Sequence, residues 1–551
     1  MKRILFAVFA AAALFIGCNK EGGDTPLTAD FKVSSNLCDA GDPIKFTAVV
    51  KGGKLPFTYE WKVGTDVTKT ESEFTHVFRT NGTVFVSVTV KDAAGASATK
   101  KKTIVVNPAK VSETGNVTLN WVGYMEGYNT IASPAVADDG SVYAVTDKSV
   151  LYKFTNSGSL AWEKEVFTSS EKNAVANFSN NRMNSTPSID TDGTIYVLGG
   201  SINKLAKLVA FNPDGSTKWS FKDFWNKGNA HEASITGGSV AVGTDNVYFG
   251  NTGQTGTVFA VSKANGARKG FVLHGGGGPS GGVRAGIVIS KSGYLHWYGG
   301  AYGLFGVLQS GLDNAAEGYD YAWKLYGSNS APTSHSLIGA MSINGKSCVV
   351  GQVTDELSTK IYAADAQTGE EVSCVRIQDT ADQDQGGVSV TAEGYIVASL
   401  NYTMGQDNGG VIIVDPVSSE IKARYRTQEK VSGSSAVDAD GNIHFFTESG
   451  YYYVVKPDYT TGSCELKVKR DIATIIRQDS RYAEQYAEME FAKFWCSAVI
   501  GDDGKVYCCF TDEFTRLFGG VVCVSFDGCT GPADSDWPMV GQNRRHTNAQ
   551  K

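Results

Sequence analysis

Basic residues are in short supply: 50 Lys and Arg stand against 57 Asp and Glu in 551 residues, a formal charge of −7. No basic stripe offers itself to a phosphate backbone, which excludes a nucleic-acid binder. Long apolar runs are missing as well. The one extended stretch, "ILFAVFAAAALFIG" at 4–17, is too short to cross a bilayer as a helix. Cysteine spacing contains no paired CxxC knuckles, so no structural zinc site is expected. Proline is scarce at 13 residues, whereas glycine reaches 63. With 42% hydrophobic and 11% aromatic residues, this balance describes a globular, turn-rich, all-β chain and excludes a disordered one. The length calls for two or more domains or one large repetitive architecture.

Lys2 and Arg3 precede the apolar run, and Gly17-Cys18 follows it at the distance of a cleavage site. This start resembles a bacterial lipoprotein signal, with Phe15 where most have leucine, as in Bacteroidetes-like lipoproteins. The resemblance implies a removed signal peptide at 1–17 and a lipidated Cys18 that opens a tether over 18–28. Acyl chains would then hold the protein to the outer membrane without a spanning helix. Lys20-Glu21 resembles the charged signals that send such lipoproteins to the cell surface. Cys38, Cys348, Cys374, Cys464, Cys496, Cys508, Cys509, Cys523 and Cys529 remain, an odd set in which at least one thiol stays free or pairs between chains. Several sit in apolar strand patterns such as "VYCCF", where a cysteine acts as a small buried hydrophobe.

Residues 29–107 alternate short strands with turn residues, as in "PIKFTAVV", "FTYEWKV" and "TVFVSVTVKDAAG", the pattern of an immunoglobulin-like sandwich. "PFTYEWKVG", "FTHVFRTNGTVFVSVTVKDAAG" and "KKTIVV" resemble a PKD domain, with Trp61 as its core tryptophan and Tyr59 beside it. After Trp61 the chain reads "KVGTDV" where the family has an acidic "DFGDG", which removes the basis for a calcium role there. Residues 108–116 form a linker.

From 117 to 551 one motif returns: "SPAVADDGSVYAV", "TPSIDTDGTIYVL", "SSAVDADGNIHFF", "CSAVIGDDGKVYCCF" and four looser copies. Their turn pairs are Asp139-Gly140, Asp192-Gly193, Asp245-Asn246, Ser292-Gly293, Asn344-Gly345, Glu393-Gly394, Asp440-Gly441 and Asp503-Gly504, which suit two-residue hairpins. Most copies continue into a third and a fourth strand. A four-stranded unit recurring about every 50 residues predicts a β-propeller of eight blades, or seven if Gly282 to Tyr326 is not one. "AFNPDGSTKWSF" and "FTNSGSLAWEKEV" resemble the PQQ-like propeller family, and "DSDWPMVGQNRRHTN" resembles the segment that closes such propellers. The last repeat lacks a fourth strand, and "VTLNWVGYM", with Trp121 matching Trp162 and Trp219, is placed to supply it.

Loops on one face are longer and richer in aromatics than the turns opposite, and function concentrates in such loops. Phe224, Trp225, Trp297, Tyr298, Tyr302 and Tyr402 are candidate platforms for sugar rings, with Asn181, Arg182, Asn226, His231, Gln406 and Asn408 as polar partners. "HGGGGPSGG" lacks the Lys-Ser/Thr of a phosphate loop, and His231-Glu232 and His274 lack a third metal ligand at helical spacing. Asp479 to Lys493 has helical composition and reads as a lid or an insertion. Quinoprotein alcohol dehydrogenases carry a disulfide between adjacent cysteines over their cofactor, and Cys508-Cys509 resembles that pair. Its position in a strand sends the two side chains to opposite faces. The expectation is therefore a non-enzymatic surface protein with no cofactor and no metal, binding an extracellular glycan or small nutrient. The alternatives are an envelope scaffold that meets outer-membrane proteins, similar to the propeller lipoprotein of outer-membrane assembly, and a PQQ-dependent oxidoreductase.

Overall fold

The computed structural model describes residues 25–40, 42–64, 67–78, 82–107, 112–127, 132–173, 185–201, 205–222, 238–251, 257–273, 283, 286–299, 303–325, 337–354, 358–378, 386–401, 409–487, 489, 492–512 and 518–550. The chain divides into two compact units, Met1–Ala109 and Lys110–Lys551.

The first unit is a sandwich. One sheet takes Thr28–Val33, Pro43–Lys51 and Glu73–Val77; the other runs in the order Leu37–Asp39, Ser97–Asn107, Gly82–Lys91, Thr58–Val63, Val67–Lys69. Along Gly82–Lys91 every second residue, Val86, Val88 and Val90, turns inward, as the pleat dictates. Trp61 is fully buried between the sheets, edge-on to Phe31 and Phe74 at centroid distances of 5.2 Å each, and its indole N–H donates to Glu71 O at 2.8 Å.

The second unit is a ring of four-stranded antiparallel blades. Seven blades span 135–165, 188–221, 241–273, 288–325, 339–378, 388–427 and 436–471; the eighth combines 492–525 with Thr118–Glu126. Phe518–Ser525 pairs antiparallel with Thr118–Glu126, from Phe518 opposite Glu126 to Ser525 opposite Thr118. The ring is thereby fastened by a strand from its own beginning. The eccentric fourth unit is a true blade that carries a short helix, Gln309–Leu312, between its third and fourth strands.

The inner hairpins differ in detail from the expected two-residue turns. In blade one Val136 pairs with Val142, Ala137 N donates to Ser141 O at 2.8 Å, and Gly140 N returns to Ala137 O at 3.0 Å. This is a three-residue loop in which a left-handed glycine (φ 77°) closes a tight turn, the commoner solution when the first turn residue is not itself left-handed. Blade five has the two-residue form with Asn344 and Gly345 both left-handed between the paired residues Ile343 and Lys346, and blade three closes two residues, Thr244 and Asp245, between Gly243 N and Asn246 O at 2.9 Å.

Two devices lock blade to blade. On the outside, a fourth-strand tryptophan reaches over the next blade. Trp121, Trp162, Trp219 and Trp323 donate their indole N–H to Asn156 O, Pro213 O, Lys263 O and Ala366 O at 3.0, 3.3, 2.8 and 3.1 Å. Each ring lies against a turn glycine of that blade; a Cβ on Gly158 or Gly369 would stand 2.5 or 2.6 Å from the indole, so glycine is required by space as well as by its positive φ. On the inside, side-chain oxygens pass from blade to blade: Thr186 accepts from Ser133 N (3.0 Å), Ser133 from Ser497 N (3.0 Å), Ser497 from Ser434 N (2.9 Å) and Ser434 from Gly387 N (2.7 Å).

The innermost strand of each blade has one unpaired edge, which faces the central channel. The closing segment, 533–550, satisfies it in six of the eight. Its carbonyls on Trp537, Pro538, Arg544, Arg545, Thr547 and Asn548 accept from Val390, Val437, Val136, Ile189, Val242 and Ile289 at 2.7–2.9 Å, one N–H from each of six blades. Arg544 also bridges Asp138 (2.8 Å) and Asp502 (2.5 Å), in the inner turns of blades one and eight. Trp537, Met539 and His546 are fully buried here. Each donor lies at the hairpin end of its strand, so one end of the channel is filled by the chain itself.

Candidate functional site

At the end away from this plug the chain passes between blades through its longest connections, and described side chains hold the roots of these loops. Thr168 and Glu171 form a capping box at the helix Ser169–Asn173: Thr168 N donates to Glu171 Oε2 at 2.8 Å and Glu171 N to Thr168 Oγ1 at 3.3 Å. Glu171 also meets Lys207 at 3.3 Å and Lys222 at 2.5 Å, so one carboxylate ties the start of the 174–184 connection to that of 223–237. Burial works to raise its pKa, but Lys222, the Thr168 N–H and Lys207 together bring it down to about 2. Buried amides play the same part further round the ring. Asn401 Oδ1 accepts from Val431 N at 2.8 Å, and Gln352 donates to Gly386 O and, at 3.3 Å, to Ser399 O.

Among the expected ligand residues, Arg182, Phe224, Trp225, His231, Tyr302, Tyr402, Gln406 and Asn408 lie outside the described residues, as do Asn181, Asn226, Glu232, His274 and Cys18. Trp297 and Tyr298 are described, and both need correction as platforms. They occupy the second strand of blade four, Tyr294–Tyr298, and are buried. Trp297 stacks on Phe305 (5.5 Å, 8°) within the packing between blades three and four, while Tyr298 turns the other way, edge-on to Tyr362 at 6.4 Å. Neither presents a face to a ligand.

The helical segment also lies elsewhere than its composition suggests. The helix is Ile472–Gln478, capped by Asp471, and Asp479 onward forms turns. Arg481 donates to Asn120 O and Leu119 O at 2.8 and 2.9 Å, and Tyr486 is buried beside Phe510 and Phe518. The segment is an insertion that covers the strand closing the ring, not a lid.

Cys508 and Cys509 are successive residues of Lys505–Asp512, both buried and with no disulfide between them. Cys508 Sγ lies 3.3 Å from Cys496 Sγ in the packing of blade eight. The pair does not fit a disulfide platform under a quinone cofactor.

A cluster unforeseen from the sequence sits at the plugged end. Asp438 Oδ2 and His444 Nε2 are 2.9 Å apart, and the ligand atoms of Asp438, His444 and Cys529 all lie within 4.8 Å of one another. His444 Nδ1 meets the Tyr452 hydroxyl at 2.6 Å. Asp438 Oδ1 accepts from Asp440 N (3.0 Å) and Asn442 N (2.8 Å), and Oδ2 also accepts from Asn442 Nδ2 (2.8 Å). Burial, followed by the Asp438 carboxylate, pushes the Cys529 thiol up to about 12. The only signal in the sequence is the hairpin "DADGNIH", with an acid and an imidazole six residues apart across one turn; Cys529 comes from a remote segment.

Residues 28–105 match the PKD domain model. No curated protein sequence matches the chain. Among solved structures, the quinohemoprotein alcohol dehydrogenase ADHIIG of Pseudomonas putida HK5 is similar at TM-score 0.53 and 14% identity, over 77% of this chain and 78% of that one. A quinohemoprotein alcohol dehydrogenase from Comamonas testosteroni gives 0.54 and 12% over 76% and 78%, and a europium-containing methanol dehydrogenase 0.52 and 12% over 76% and 96%. At such identities the likeness is one of fold alone: the chain carries a PKD domain followed by a β-propeller similar in fold to those of quinohemoprotein dehydrogenases.

Proposed function

We propose that the chain is a lipid-anchored protein of the outer membrane, exposed at the cell surface, whose propeller captures an extracellular glycan or small nutrient on its long-loop face. The observation that supports this reading is that 533–550 fills the hairpin end of the ring, while the long connections leave the blades at the other end. The loops rooted there carry Trp225 and Tyr402 as apolar platforms and Gln406 and Asn408 as planar amides, the groups that sugar C–H faces and hydroxyls seek. The lipoprotein-like start, with Cys18 after the apolar run, supports the anchoring.

The test is a glycan and nutrient screen on the detergent-solubilised full chain, read as a shift in melting temperature. A ligand at about a hundred times its Kd adds roughly 2.7 kcal/mol to the native state. We expect a saturable rise that Trp225→Ala and Tyr402→Ala abolish while leaving the unliganded melt unchanged. A folded protein that responds to no ligand, yet retains membrane proteins through a high-salt wash, would instead be the envelope scaffold.

A further inference from the structure

We propose that Asp438, His444 and Cys529 bind one divalent transition-metal ion of the zinc class, which pins the segment after the last blade to blade seven. Carboxylate, imidazole and thiolate together are a zinc-type donor set, whereas calcium and magnesium take oxygen alone. Zinc holds such ligands at about 2.0–2.3 Å, which sets ligand atoms about 3–4 Å from one another. The spacing within 4.8 Å closes to that by small side-chain rotation.

The surroundings fix the donors in advance. Two backbone N–H groups on Oδ1 set the plane of the Asp438 carboxylate and aim Oδ2 at the cluster. Nε2 of His444 donates to Asp438 Oδ2 and Nδ1 accepts from Tyr452; when an ion takes the Nε2 lone pair the hydrogen moves to Nδ1, where the Tyr452 hydroxyl accepts it as an outer-shell partner. Backbone bonds bring the third donor in: Ala439 N donates to Gly531 O at 2.9 Å, Asp438 pairs with Pro532, and Cys529 N closes a turn on Phe526 O at 3.0 Å. Phe526 covers His444 edge-on at 6.1 Å. The equivalent hairpins show what the cluster adds. Blade four sets Ser290 against His296 (2.9 Å), and blade two sets Asp190 against Tyr196 (3.3 Å) and Lys263 (2.7 Å), neither with a third metal-binding side chain among the described residues. Among the described residues, Asp438, His444 and Cys529 are the one group of three such donors close enough to share an ion. Cys529 is only partly buried, which leaves the fourth position to water and gives the ion a way in.

The experiment loads the full chain with Zn²⁺ or Co²⁺, removes unbound metal, and measures metal content, the near-ultraviolet thiolate-to-cobalt band and the melting temperature. We expect one equivalent per chain, a thiolate band and a higher melting temperature with zinc. Cys529→Ser, at a part-exposed position, should stay folded by circular dichroism and lose both the band and the zinc-dependent shift. Tyr452→Phe should weaken zinc about tenfold or more while keeping the band. A folded wild-type chain that retains neither metal, or a cobalt band that survives Cys529→Ser, would overturn the proposal and leave Asp438 and His444 as a buried hydrogen-bonded pair.

Discussion

The inner hydroxyl relay gives single atoms a role in holding the ring. Ser497 is buried, and its Oγ is the acceptor for Ser434 N at 2.9 Å. Ser497→Ala leaves that amide without its partner in a place water does not reach, a cost of about 1–3 kcal/mol. A urea melt should show this loss, with an unchanged slope because the exposed surface is the same. The residues concerned were visible all along as the first letters of "SPAV", "TPSI" and "SSAV" and the serine of "CSAV". Their purpose was not, because an N–H to hydroxyl bond between strands some 50 residues or more apart leaves no periodic trace. Trp297 failed in the opposite sense. "HWYGG" reads as an aromatic loop mouth, yet strand alternation points the indole into one interblade layer and the phenol into the next. The other expected ligand residues stand on connections beyond the described residues, where composition remains their support.

Elements were more legible than their terminations. Asp-Gly pairs located the inner hairpins, but the three-residue loop with a left-handed glycine shares that signature with the two-residue turn, so only the backbone distinguishes them. The closing segment has no regular secondary structure of its own and takes its order from the blade edges it satisfies. Its chemistry makes it sensitive to acid. Burial lowers His546 to about 4 from an ordinary 6.5, with the Pro134 carbonyl at 3.0 Å only partly offsetting the loss of water. Between those values the unfolded chain takes up a proton that the folded one refuses, so this contribution is intact above about 6.5 and falls away as the pH drops towards 4. The melting temperature of the propeller should therefore fall across that window, and His546→Gln should flatten the dependence.

For the whole propeller, eight copies of one sentence in the sequence specified eight blades, and an orphan strand before the first predicted how the ring closes. Closure concentrates stability at one seam. Trp121 packs between the eighth and first blades, against Phe154 and Tyr507, and donates to Asn156 O. Trp121→Ala removes the ring from a buried site and should cost about 3–5 kcal/mol. Amide exchange should quicken first along Thr118–Glu126 and Phe518–Ser525, while the PKD domain, a separate compact unit, keeps its own protection.

The order of synthesis gives this seam a further meaning. Thr118–Glu126 leaves the ribosome ahead of every other propeller strand, and its partner Phe518–Ser525 is the last. Throughout elongation the early strand carries an open edge, and six of the eight inner edges wait for the segment that follows the final blade. A chain made in that order cannot finish folding piecemeal. Its open edges stay available for wrong pairing until nearly all of it has emerged, a hazard set by the position of one strand.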